Sequence, residues 1–68
     1  MLVRVESNRF VAGLTVQNGV VALAAPILRR VRWQGAFYYP VGKPWSEVEA
    51  VLRDKGWEIH VVKDTRPR

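Results

Sequence analysis

At 68 residues, with no cysteine and a formal net charge of +5, the chain reads as one small domain that neither disulfides nor a thiolate metal site can hold together. A domain this short buries only about 60% of its unfolded surface, so its stability must come from a compact apolar core, an oligomer or a partner. The longest apolar run, nine residues from Val20 to Leu28, is far below the roughly 20 needed to cross a bilayer, so no membrane association is expected.

Leu2 to Glu6 alternates as a half-buried strand does. A two-residue turn at Ser7-Asn8 would set Glu6 against Arg9, Val5 against Phe10 and Val3 against Ala12. Asn18-Gly19 between apolar runs is the strongest signal in the chain and predicts a type I′ hairpin. It pairs Gln17 with Val20, Val16 with Val21, Leu14 with Leu23 and Ala12 with Ala25. Val3, Val5, Phe10, Ala12, Leu14, Val16, Val21, Leu23 and Ala25 then share one face of a three-stranded meander. The opposite face carries a small, weakly apolar patch of Val11, Gly13, Ala22 and Ala24. That patch is either a tolerated surface or an interface, covered by residues 29–42 or by a second subunit.

Pro26 suits the first position of a short helical turn, with Ile27 and Leu28 closing one end of the core. Residues 31–45 have no clean period and read as a long loop or projecting β-arm, which Gln34-Gly35 could turn into a hairpin. Ser46 and Glu49 fit a capping box at the start of a helix. Val48, Val51 and Leu52 form its apolar stripe with Trp45, Glu49 and Arg53 pair at i, i+4, and Gly56 ends it. Trp57 to Val62 is a last strand with Trp57, Ile59 and Val61 inward, suited to the free edge of the first strand. The expected fold is therefore α+β: a three-stranded antiparallel meander (residues 1–28, with the helical turn), a projecting basic-aromatic arm (29–45), a helix packed on the sheet with a fourth strand after it (46–63), and a polar tail (64–68).

The excess charge is not spread evenly. Residues 29–45 hold Arg29, Arg30, Arg32 and Lys43 and no acid, whereas 46–68 hold five residues of each sign. With Trp33, Phe37, Tyr38 and Tyr39 interleaved, these cations form the one candidate binding site, because cations contact phosphates while aromatics stack on bases or anchor a protein partner. The bland alternative is that the aromatics complete the core and the arginines form a solvated rim. No recognised nucleic-acid motif is present. No catalytic residue, cofactor or metal is expected: His60 is the only histidine, it carries no motif, and the carboxylates are dispersed along the chain.

Phe10-x-Ala12-Gly13-Leu14-x-Val16, Gly19-x-Val21, Ala25-Pro26-Ile27-Leu28, Gly42-Lys43-x-Trp45-x-Glu47-Val48 and Lys55-Gly56-Trp57 together resemble small uncharacterised proteins encoded by actinobacterial phages. The resemblance spans roughly residues 9–57, and against it residues 29–41 look like an extension. It implies a phage accessory protein in the cytoplasm of a bacterial host and brings no activity with it. The function expected is binding, not catalysis: a host or phage protein as partner, with self-association into a homo-oligomer, and nucleic acid bound through residues 29–43 as the alternative.

Overall fold

Apolar alternation and left-handed turn residues build an antiparallel sheet with one short helix, the α+β class expected. The computed structural model describes residues 1–63; the polar tail 64–68 lies outside the described residues. β1 (Leu2–Glu6), β2 (Val11–Gln17) and β3 (Val20–Ala24) form the meander. A 3-10 turn (Pro26–Leu28) leads into the hairpin β4 (Val31–Trp33) and β5 (Ala36–Tyr38). Helix α1 (Trp45–Asp54) and β6 (Glu58–Lys63) complete the chain order. The main sheet has the order β3-β2-β1-β6, and β4-β5 is a separate two-stranded arm. β6 runs antiparallel to β1 along the edge that the meander leaves free.

Asn18 and Gly19 take φ values of 54° and 76°, the left-handed pair that a type I′ turn needs. Gly19 meets nothing within 4 Å of a Cβ position, so its requirement is purely one of backbone conformation. Gly19→Ala should therefore cost about 1 kcal/mol, read as a lower urea midpoint with an unchanged slope. The same turn anchors the helix, because the Trp45 amide donates to the Gly19 carbonyl at 2.7 Å.

Two registers differ from the sequence expectation. Glu6 pairs with Val11 and Val3 with Leu14, two residues away from the expected partners. The connection is a four-residue loop, Ser7–Phe10, closed by the Ser7 amide on the Phe10 carbonyl at 2.9 Å and the Arg9 amide on Ser7 Oγ at 3.1 Å. A shift of two keeps every side chain on its expected face. The expected Glu6–Arg9 pair is replaced by Arg4 Nε on Glu6 Oε1 at 2.9 Å.

In the second hairpin Gln17–Val20 and Val16–Val21 form as expected, but Thr15 then pairs with Leu23 and Leu14 with Ala24. Ala22 is thus the extra residue of a β-bulge, which exchanges the faces of the residues after it. Leu23 points outward and is 67% exposed, while Ala24 joins the core at 8%. Ala24 is therefore not part of the outer patch with Val11, Gly13 and Ala22. Its small side chain sits in the core cluster with Leu28, which is fully buried. Ile27, expected beside Leu28, is 48% exposed.

The core packs Val3, Val5, Leu14, Val16 and Val21 of the sheet against Val48 and Leu52 of α1. A ten-residue helix does not persist unaided in water, so this contact is what holds α1. The capping box does not form. Helix α1 begins two residues earlier, at Trp45, with Pro44 rather than Ser46 as N-cap and no side-chain cap bond. Glu49 instead meets Arg53 at 3.3 Å. At the other end Gly56 (φ 82°) is the left-handed cap, with its amide on the Arg53 carbonyl and that of Trp57 on the Leu52 carbonyl. In β6 Ile59 is half-buried, but Val61, expected inward, is 56% exposed.

The other sheet edge is partly closed. The Gly42 amide donates to the Val21 carbonyl at 2.8 Å, and the Val21 amide to the Lys43 carbonyl at 3.0 Å.

Candidate functional site

Gln34 and Gly35 have φ values of 52° and 78°, so residues 31–38 turn as a tight hairpin rather than an irregular loop. Alternation along its short strands sorts the aromatics. Val31 is buried, and Trp33 and Tyr38 face the body of the protein, edge to face at 5.9 Å. Trp33 Nε1 donates to Asp54 Oδ2 at 2.8 Å, and the Tyr38 hydroxyl donates to Glu47 Oε2 at 2.6 Å. Lys55 Nζ donates to the Arg32 carbonyl. Three tethers therefore bind the arm to α1 and its C-terminus. Trp33 and Tyr38 are thereby held against the body of the protein.

Burial, the hydrogen bond to Glu47 and the charge of that carboxylate all raise the Tyr38 pKa well above its ordinary value. A proton held more tightly in the folded than in the unfolded state gives stability that is complete below the unfolded tyrosine pKa of about 10 and is lost as pH rises above it. Tyr38→Phe should lower stability at neutral pH by about 1 kcal/mol and remove this part of the alkaline decline. Urea midpoints measured from pH 8 to 11 check it.

The outward face of the arm carries Arg32 and Phe37, with Arg30 against the Phe37 ring. Arg32 and Phe37 are cross-strand partners. The Arg30 guanidinium lies 4.5 Å and that of Arg32 5.7 Å from the Phe37 ring centroid, within cation–π range. Phe37 is 51% exposed, so an aromatic face and two cations are presented together.

Arg30 and Arg32 also line a cleft of about 800 Å³. Its opposite wall is the Ser7–Phe10 loop, and its end is the turn after α1. Arg9 and Lys55 add two cations to it, and Phe10 and Trp57 its aromatic lining. Trp57 is locked by Phe10, edge to face at 5.0 Å, and by Lys55 Nζ 4.8 Å from its ring centroid. Glu6 and Glu58 also line it. Those carboxylates are not dispersed in space, because β1–β6 pairing sets them directly opposite each other.

Of the expected binding residues only Arg30 and Arg32 line this cleft; Arg29, Tyr39 and Lys43 also lie apart from the Phe37 face. Arg29 Nε donates to the Ala24 carbonyl at 3.1 Å. It lines a smaller groove of about 350 Å³ beside β3, with Leu23, Tyr39 and Val41. Lys43 runs along that same edge through its backbone bond to Val21. Sequence pattern alone does not point to Arg9, Phe10, Lys55 and Trp57 as members of the site. They become visible only once β6 is placed beside β1, which brings residues 6–10 next to 55–58.

On the outer face of the sheet Val11 is 66% and Leu2 39% exposed, in addition to Leu23. Thr15 lies between Leu2 and Leu23 in the ladder. Its Oγ1 is buried without a hydrogen-bond partner among the described residues.

No helix among the described residues is long and apolar enough to cross a membrane. No protein family, curated protein or solved structure matches this chain.

Proposed function

We propose that this protein is a non-enzymatic accessory module, phage-encoded, that binds nucleic acid along the outward face of the β4–β5 arm and the cleft beneath it. One observation carries the reading: Arg9, Arg30, Arg32 and Lys55, from three separate stretches of chain, converge on one cleft lined by Phe10 and Trp57. Cations that track a phosphate backbone beside exposed aromatic faces are what single-stranded nucleic acid requires. Phe37, half exposed beside two guanidinium groups, supplies such a face. Affinity for labelled single-stranded DNA or RNA should fall steeply with salt, with a log–log slope set by the number of phosphates contacted. A flat salt dependence, or no binding at low salt, would sink the reading.

A second reading rests on the outer sheet face. Val11, Leu23 and Leu2 are exposed there, which suits a protein partner or a second copy of the chain. Sedimentation equilibrium separates the two. A mass above 7.8 kDa without nucleic acid, lost in Leu23→Glu, supports the second, and a monomer that binds nucleic acid supports the first.

A further inference from the structure

We propose that Glu6, Glu58 and His60 form a binding site for a first-row divalent transition ion, with Zn²⁺ as its representative. The site is built by the sheet. β1 and β6 pair Glu6 with Glu58 and Arg4 with His60, and all four side chains share the outer face, since Val3, Val5 and Ile59 alternate with them toward the core. His60 Nε2 is 3.5 Å from Glu58 Oε2 and 3.9 Å from Glu6 Oε2. One ligand atom from each of the three residues lies within 4.8 Å of the others.

A tetrahedral ion with bonds of about 2.1 Å spaces its ligand atoms about 3.4 Å apart. The two distances from His60 Nε2 lie within about 0.5 Å of that spacing, and the carboxylate oxygens lie within 4.8 Å of each other, so the remaining adjustment falls on side-chain torsions, not on the hydrogen-bonded strands. Like charges directly opposite each other in a ladder are destabilising, so a cation between these carboxylates relieves a repulsion that the register imposes. Arg4 relieves only part of it: its Nε engages Glu6 Oε1 at 2.9 Å, and Oε2 is the Glu6 atom near His60. Two carboxylate oxygens and an imidazole nitrogen suit Zn²⁺ and its neighbours, whereas Mg²⁺ and Ca²⁺ prefer all-oxygen shells. Three protein ligands leave a fourth position for water or an anion. The inference does not depend on nucleic-acid binding, since it is read with the metal alone.

Titration calorimetry of the full chain with ZnCl₂ in a non-chelating buffer should show one saturable site per chain, not displaced by an excess of Mg²⁺. His60→Ala and Glu58→Gln should each weaken it at least about tenfold. Arg4→Gln, which removes the competing cation from Glu6, should tighten it. Zn²⁺ should raise the melting temperature of the parent chain and not that of His60→Ala, while the two melt alike in EDTA. Absence of saturable binding overturns the proposal. So does parent-like affinity in both His60→Ala and Glu58→Gln, which would move the ion elsewhere. Should His60→Ala fail to fold, Glu58→Gln and Arg4→Gln decide by the same criteria.

Discussion

Leu52→Ala should leave the domain largely unfolded at room temperature. Leu52 is fully buried and belongs to the one cluster that joins α1 to the sheet. Truncating a buried leucine costs about 2–5 kcal/mol, because the lost transfer energy is compounded by the cavity left behind. A single core in a chain of this size rarely supplies more than about 3–5 kcal/mol in total, so the loss is comparable with the whole. Circular dichroism melts should show no cooperative transition, or one starting near room temperature. Leu23→Ala is the matched control. Its side chain is 67% exposed, and the change should stay within about 0.5 kcal/mol. If the β2–β3 ladder ran without its bulge, Leu23 would sit in the core and the control would fail as badly as Leu52→Ala.

The double substitution Arg30→Ala with Arg32→Ala should weaken nucleic-acid binding uniformly across sequences and flatten the log–log salt slope by about 2. The fold should persist, because both side chains are exposed and the arm is held by Trp33, Tyr38 and Lys55. Adding Phe37→Ala should remove a further about 1–3 kcal/mol of stacking on single strands. Lys43→Ala should change little, since Lys43 does not line the cleft. Fluorescence anisotropy over a salt series gives all three results. Unchanged binding after the double substitution would remove the arm from any account of function.

Three turns were legible because each is set by local chemistry, whereas the Ser7–Phe10 loop was read two residues too short. Asn18-Gly19, Gln34-Gly35 and Gly56 all carry positive φ, and few residue pairs adopt it without strain. Faces were legible over β1 and β2 for a different reason, since the error in that register is even and the side-chain period is two. The bulge at Ala22 was not. Val20-Val21-Ala22-Leu23-Ala24-Ala25 offers an acceptable apolar set in either frame, so the pattern cannot choose between Leu23 and Ala24.

The capping box failed because its residues are right but its context is not: α1 starts at Trp45 through a long-range bond to Gly19, a partner no local motif can reveal. The basic-aromatic segment was legible only in the limited sense that Arg30, Arg32 and Phe37 do lie together. The cleft itself was invisible, because it is assembled from distant stretches, residues 6–10 and 55–58, that meet only through the β1–β6 pairing.

The tethers of the arm have a consequence for how the molecule breathes. Every one of them ends on α1 or on Lys55 just past it, and α1 is otherwise held by its packing on the sheet and by the Trp45 amide on the Gly19 carbonyl. The arm and the helix therefore share one opening event, distinct from the strand ladder. Amides of Val31–Tyr38 and of Val48–Leu52 should exchange with deuterium as a single unit, while β1 and β2 hold their protons longest. A ligand that clamps the arm would then slow exchange in a helix it never touches.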